Sequence, residues 1–146
     1  MSKAEIALER FENGNCAQAV ISAYAADFGV DKDRALQVSV GFGGGMGRLQ
    51  ETCGAVSGAI MVLGLASSFK DGDGRDKINE VYAQVRRLAA DFTKEKGTIN
   101  CRELLGCDLS SEEGHVFFKE HNLRSNCKAY IRLCCELLDK YFAENK

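Results

Sequence analysis

Cysteine is the residue type through which this chain is best equipped to do chemistry. Seven occur in 146 residues. In a reducing cytosol such an excess favours redox or metal chemistry over structural disulfides, and the odd count agrees with this. A free cysteine is often a small apolar core residue, which explains one such position better than seven. The seven are Cys16, Cys53, Cys101, Cys107, Cys127, Cys134 and Cys135.

Four of these cysteines stand where a helix is predicted to begin. The thiolate is the reactive form of cysteine, and the free N–H groups of a helix N-terminus lower the pKa of a thiol placed there. Cys53 and Cys101 fit this position best, and Cys16 and Cys127 are compatible with it. Cys53 is the first choice for a reactive thiol, because Gly54 leaves room beside it for a second sulfur, a substrate or a metal. The alternative is that Gly54 only permits close helix packing and Cys53 fills the gap.

The other cysteines and the two histidines are less promising. Cys107 follows a glycine in a predicted turn and is expected to be exposed. Cys134 and Cys135 are neighbours on one predicted helix and point about 100° apart, so at least one of them belongs to the core. His115 and His121 lie among charged residues, and we interpret them as surface side chains without a role.

A glycine-rich segment precedes Cys53. Residues 41–47 read GFGGGMG, and this density of glycine allows positive φ and a close approach of backbone. The segment lacks the Lys-Ser/Thr pair of a phosphate-binding P-loop and the register of a dinucleotide-binding motif, so nucleotide binding is not expected. Its backbone N–H groups are candidates for stabilising negative charge near Cys53.

Helices are the predicted elements that must position these residues. The chain has no proline, and apolar residues recur at steps of three and four along most of it. Residues 54–66 are apolar and rich in small side chains, which places them as a helix at the centre of a bundle. A long amphipathic helix is predicted to end near Lys96, Asn15 is a predicted cap, and Asn100 precedes a short predicted helix that begins at Cys101. The predicted fold is all-α, a single-domain multi-helix bundle with a small-residue central helix.

Composition and charge exclude several classes of protein. A content of 45% hydrophobic and 27% charged residues is typical of a packed globule. The net charge of -2 provides no basic field, so no nucleic-acid partner is expected. The most apolar stretch, residues 54–66, is too short to span a membrane, and the first residues lack the apolar region of a secretory signal. We therefore expect a cytoplasmic protein without membrane insertion.

Several blocks of the sequence together resemble the C_GCAxxG_C_C family, for which redox activity is predicted. The blocks span residues 11 to about 138 in a specific order: Phe11-x-x-Gly14-x-Cys16-x-x-Ala19-Val20, the segment GFGGGMG, Thr52-Cys53-Gly54-Ala55-x-x-Gly58, Gly97-x-x-x-Cys101-Arg102-x-Leu104-Leu105-Gly106, and Cys127. The resemblance implies one small helical redox domain over residues 1–146. It also implies four signature cysteines, which match Cys16, Cys53, Cys101 and Cys127; the other three cysteines are additional.

Two functions are compatible with the signature cysteines, which are the candidate catalytic residues. In the first, a Cys53 thiolate attacks a disulfide or oxidised substrate and a second signature cysteine resolves the mixed disulfide. The protein is then a thiol-disulfide oxidoreductase or electron carrier, and its partner is a redox protein or a small thiol or disulfide. In the second, Cys16, Cys53, Cys101 and Cys127 bind zinc or an iron-sulfur cluster.

The spacing of the signature cysteines favours the first function. Metal sites usually draw two ligands from one short loop, whereas here each signature cysteine lies more than 20 residues from the next. There is no Cys-x-x-Cys, so any shared site must be assembled by the fold. Because all four cysteines lie near predicted helix starts, their sulfurs are expected to meet at one end of the bundle. The third interpretation is a structural helical bundle whose cysteines are only core residues.

The apolar stripe of the long helix permits a homodimer without requiring one.

Overall fold

The computed structural model describes residues 1–145. Within this range the chain forms α-helices, two short 3-10 segments and no β-strand, which confirms the predicted all-α multi-helix fold. None of the helices in this range combines the length and apolar composition that a membrane span requires. The α-helices are α1 (Lys3–Phe11), α2 (Cys16–Tyr24), α3 (Lys32–Ser39), α4 (Gly54–Ser67), α5 (Gly74–Lys96), α6 (Cys101–Leu105), α7 (Glu112–Glu120) and α8 (Arg124–Glu144).

Helix α4 lies at the centre of the bundle, as its small residues predict. It packs against α2 most extensively, and also against α5 and α8. Gly58 makes the contact with α2 so close that a Cβ atom added there would lie 2.7 Å from the carbonyl oxygen of Ala17. The two backbones therefore approach one another at a distance that only glycine permits.

The core is formed mainly by α2, α4 and α8. Its largest fully buried side chains include Tyr24, Leu63 and Ile131, one from each of these helices. Cys134 and Cys135 are also fully buried. Both are therefore core residues, in agreement with the expectation that at least one of them would be.

Helix α5 has the predicted length but contributes less to the core than its apolar stripe suggests. It ends at Lys96, and Gly97 follows in the left-handed conformation with φ 91°. Only Leu88 and Phe92 of this helix are buried, and Tyr82 is 53% exposed. Thus the second half of α5 joins the bundle, while the apolar residues of its first half are at most partly covered. The homodimer stays a prediction.

Side-chain caps begin two of the helices that carry signature cysteines. The Asn15 side chain accepts a hydrogen bond from the backbone N–H of Gln18, and the Gln18 side chain accepts one from the N–H of Asn15, both at 3.0 Å. The Asn100 side chain accepts a bond from the first turn of α6 at 2.9 Å. The cap at Asn15 and the helix that follows Asn100 were predicted, and the two caps make Cys16 and Cys101 the first residues of their helices.

Candidate functional site

The four signature cysteines meet at one pocket of about 260 Å³. They reach it from the starts of α2, α4, α6 and α8, so the helix starts converge as the sequence predicts. A larger pocket of about 690 Å³ lies elsewhere, beside Tyr24 and Phe142, and no cysteine lines it in the described part of the chain. The smaller pocket is the candidate functional site, and we call it the cysteine pocket. Its lining includes Cys16, Cys53, Cys101, Cys127, Arg48, His115, Arg124 and Tyr130.

An isolated antiparallel bridge holds Cys53 beside Cys101. The bridge pairs Thr52 with Asn100, which are the residues directly before the two cysteines. The Cys53 N–H donates to the carbonyl of Ile99 at 2.7 Å, and the Cys101 N–H donates back across the bridge at 2.6 Å. Because successive residues of extended backbone point to opposite sides, both cysteines face the same side of the bridge. Two residues far apart in sequence thus become neighbours in the pocket wall.

Gly54 brings Cys16 close to the start of α4. A Cβ atom added at Gly54 would lie 3.1 Å from the Cβ of Cys16 and 3.2 Å from the carbonyl oxygen of Phe42. Such distances leave no room for a side chain without a shift of α2. Gly54 was expected to leave room for a second sulfur, a substrate or a metal, and Cys16 occupies that room.

The glycine-rich segment folds into a compact loop that covers Cys101. Gly45 has φ 65°, and a Cβ atom there would lie 2.8 Å from the Cβ of Cys101. The N–H groups of residues 46–51 all donate to carbonyls of residues 41–46, for example from Gly47 to Gly41 at 2.9 Å. These groups are thus occupied within the loop. The expectation that N–H groups of residues 41–47 stabilise a negative charge is therefore wrong for Met46 and Gly47.

Gln50 connects the glycine-rich loop to the turn after α6 and is not among the residues predicted for the site. Its side chain is buried, donates to the carbonyl of Cys107 at 2.9 Å and accepts from the N–H of Leu109 at 2.8 Å. It also hydrogen-bonds to the Cys101 sulfur. Since the turn is held in this way, Cys107 is buried and the prediction that it is exposed is wrong. No sequence pattern marks Gln50, because its partners lie far along the chain.

Cys16 and Cys127 form a hydrogen-bonded pair in which Cys127 is the more acidic thiol. The hydrogen bond from the Cys16 thiol and the positive charge of Arg124 lower the pKa of Cys127. The same hydrogen bond, followed by burial, raises the pKa of Cys16, because Cys16 must keep its proton to donate it. Both residues are partly exposed. Cys127 is therefore the first of the pair to ionise.

Cys53 and Cys101 are the less acidic pair. Burial raises the pKa of Cys53 to about 12, although the N–H groups of Ala55 and Val56 lower it through hydrogen bonds at the start of α4. Burial likewise raises the pKa of Cys101 to about 11, against the hydrogen bond from Gln50. Cys53 is only 4% exposed, so the loss of hydration outweighs the helix start. The expectation of a lowered pKa at Cys53 is wrong.

Basic side chains also line the cysteine pocket. Arg48, His115 and Arg124 reach it from the glycine-rich loop, α7 and the start of α8. His115 is exposed, as predicted, but it lines the site, whereas His121 stacks on Phe117 and does not. Both histidines have charged neighbours in sequence, so no local signal separates them. Their different positions come from the packing of α7.

All seven cysteines are free thiols. Across residues 1–145, no group of three or more His, Cys, Asp or Glu side chains has an arrangement that could hold a metal ion. The signature cysteines share a pocket without forming such a group.

Comparison with known proteins gives one relationship. A family model described as "Putative redox-active protein (C_GCAxxG_C_C)" matches residues 14–141. The match includes all seven cysteines and almost the whole lining of the cysteine pocket. Neither the comparison with curated proteins nor the comparison with solved structures found a match.

Proposed function

Because this chain belongs to the C_GCAxxG_C_C family, whose description is redox-active, we propose that it is a thiol-disulfide oxidoreductase with Cys127 and Cys16 as its working dithiol. The observation that carries this proposal is that the two thiols line one pocket, where Cys16 and the charge of Arg124 lower the pKa of Cys127 while the pKa of Cys16 is raised. Both residues are partly exposed at the cysteine pocket, so a substrate has access to them. A nucleophilic thiol must ionise readily, a resolving thiol must lie beside it, and both must be accessible to the substrate.

The proposed reaction starts at Cys127. Its thiolate attacks one sulfur of a substrate disulfide; the substrate S–S bond breaks, a mixed disulfide forms and one substrate thiolate leaves. The Cys16 thiol then gives up its proton and attacks the Cys127 sulfur. The second substrate thiolate leaves and takes that proton. The substrate has gained two electrons, and the protein holds a disulfide between Cys16 and Cys127, which an external dithiol reduces again.

Cys53 keeps a role in this proposal as a member of a second, buried dithiol. Cys53 lies beside Cys101 across the Thr52–Asn100 bridge and lines the same pocket as Cys127, which supports an exchange between the two pairs. In an internal exchange, Cys53 loses its proton and attacks Cys127 of the outer disulfide; Cys16 leaves and takes the proton. Cys101 then loses its proton and attacks Cys53; the bond between Cys53 and Cys127 breaks, and Cys127 leaves and takes that proton. The disulfide has moved inward with no net gain or loss of electrons.

The experiment that tests the working dithiol is an intact mass measurement on protein purified without oxygen. Mild oxidation with a small disulfide is expected to remove two hydrogens, and peptide mapping is expected to find Cys16 joined to Cys127. Cys127→Ser abolishes this oxidation, whereas Cys135→Ala, a core change on the same helix, leaves it intact. A first disulfide between residues other than Cys16 and Cys127 overturns the proposal, as does an unoxidised wild type. Stoichiometric bound metal in the starting sample supports the zinc or iron-sulfur function instead.

A further inference from the structure

Arg124 lowers the pKa of Cys127, but the other basic side chains of the cysteine pocket, Arg48 and His115, have no function in the exchange reaction itself. Arg48, His115 and Arg124 line the pocket, while no Asp or Glu side chain is among its lining residues in the described part of the chain. The protein as a whole has more acidic than basic residues, 21 against 19. The charge of this pocket is thus opposite to the charge of the whole molecule.

Arg48 is the cation with the greatest freedom to meet a ligand. It is exposed, and within residues 1–145 its guanidinium makes no ion pair or side-chain hydrogen bond. Arg124 is more constrained, because it donates to the carbonyl of Phe11 at 3.1 Å and lies 3.9 Å from a carboxylate oxygen of Glu12. Lys128 also approaches Glu12, at 3.4 Å, and so shares that negative charge. The mouth of the pocket is therefore positive.

Helix starts add to this positive field. The N-terminal ends of α2, α4 and α8 carry the cysteines that line the pocket. Each such end bears about half a positive charge, which favours anions close to it. Side chains and helices therefore act in the same direction.

Size and polarity restrict the ligand further. The pocket volume of about 260 Å³ lies below the range of about 300 to 1,000 Å³ that is usual for drug-sized ligands. Leu104, Leu109 and Phe118 form apolar parts of the wall. A short apolar chain suits this wall, with an anionic group at the arginine side and a sulfur at the cysteines.

We propose that the substrate is a small disulfide or thiol that carries a carboxylate or similar anionic group, and that Arg48 is the residue that binds this group. The inference rests on the proposed function, since it names the substrate class of the same site. It adds that the pocket selects its sulfur compound by charge.

The test compares three small disulfides of similar length: dithiodipropionate with two negative charges, cystamine with two positive charges, and neutral hydroxyethyl disulfide. For each compound, the rate at which it oxidises the reduced protein is divided by the rate at which it oxidises free dithiothreitol. This relative rate corrects for the intrinsic reactivity of the disulfide. At low salt we expect the anionic compound to exceed the cationic one by about tenfold or more. This ratio should fall towards one at high ionic strength, because salt screens the field.

Arg48→Gln is expected to reduce the preference for the anionic over the cationic disulfide by about threefold or more. Arg86→Gln makes the same charge change on the exposed face of α5 and should leave this preference unchanged. The salt dependence of the wild type tests the inference even if Arg48→Gln folds poorly. Equal ratios for the three compounds overturn the charge preference but leave the proposed function in place. Failure of all three to oxidise Cys16 and Cys127 overturns the proposed function itself. Faster reaction with a disulfide-containing protein than with any small compound overturns the substrate class.

Discussion

Cys16 and Cys127 line one pocket, although the two residues come from helices near opposite ends of the chain. The interaction of the two thiols lowers the pKa of Cys127 and raises the pKa of Cys16. Cys127 is thus favoured as a thiolate, whereas Cys16 is held in its protonated form. Arg124 favours the same outcome by lowering the pKa of Cys127. The pair is thus prepared for exchange before any substrate arrives.

Removal of the Cys16 hydrogen bond should make Cys127 less acidic. A hydrogen bond to a charged group contributes about 1.5–3 kcal/mol, so in Cys16→Ala the midpoint of the pH profile for alkylation of Cys127 should rise by about one unit or more. Cys16→Ser retains a hydroxyl donor and should shift the midpoint less. The measurement is the rate of iodoacetamide labelling, followed by mass spectrometry. An unchanged midpoint in Cys16→Ala would show that the sulfurs are not coupled.

The two dithiols should oxidise in order. Under limited oxidant we expect a first loss of two hydrogens at Cys16 and Cys127, and a slower second loss at Cys53 and Cys101, because the latter pair is buried and less acidic. Internal exchange requires Cys127, so in Cys127→Ser the inner pair should stay reduced over the same period. Peptide mapping of samples taken over time distinguishes the two steps. Equal oxidation of the inner pair in that variant would contradict the proposed exchange.

Close packing between α2 and α4 should make Gly58 intolerant of substitution. Gly58→Ala places a Cβ atom 2.7 Å from the Ala17 carbonyl oxygen, so we expect a loss of about 1–3 kcal/mol in the free energy of unfolding. Gly64 lies on the same helix with open space around its Cα, and Gly64→Ala should stabilise the protein by up to about 1 kcal/mol. Urea unfolding of both variants gives the comparison. If Gly58→Ala and Gly64→Ala changed the free energy of unfolding by a similar amount in the same direction, the close packing of α2 against Gly58 would be contradicted.

Gln50 should stabilise the turn after α6 through its buried amide. Gln50→Leu leaves the Cys107 carbonyl and the Leu109 N–H without their partner, at a cost of about 1–3 kcal/mol for each buried group left unpaired. The exposed Gln84→Leu is the control, and we expect little change from it. Urea unfolding measures the stability, and hydrogen exchange at Leu109 reports the turn directly. Retained protection of Leu109 in Gln50→Leu would show that the amide is dispensable.

The reduced protein should lose stability at alkaline pH. Cys53 has a folded pKa of about 12, above the value of about 8.5 for an unfolded cysteine. Its contribution is therefore fully present below about pH 8.5 and decreases as the pH rises towards the folded pKa, by up to about 1.4 kcal/mol per pH unit. We expect Cys53→Ala to reduce the slope of unfolding free energy against pH between 9 and 11 by about this amount.

The control for the alkaline slope is Val62→Ala, a buried change on the same helix that removes no titrating group. It should lower stability at every pH and leave the slope as in the wild type. If the two variants show the same slope, Cys53 does not titrate in the folded protein as its burial implies.

Local sequence was sufficient to predict most of the helical framework. The caps at Asn15 and Asn100 satisfy N–H groups within their own helices, and Gly97 ends α5 through its own backbone conformation, so each acts through neighbours in sequence. The small residues of α4 predicted its central place because they alone permit close helix contact. Long-range burial was less predictable: the stripe on α5 is covered only in its second half.

The sequence by itself determined the helices, the close contact at Gly54 and Gly58, and the four cysteines at helix starts. Only the tertiary structure decided which cysteine is acidic. The pKa of a thiol depends on its hydration and on the charges beside it, and these come from residues distant in the chain. Cys53 lies at a helix start yet is buried, while Cys127 gains a partner in Cys16 and a charge in Arg124. The sequence places the cysteines at helix starts, but the packing of the helices determines how acidic each thiol is.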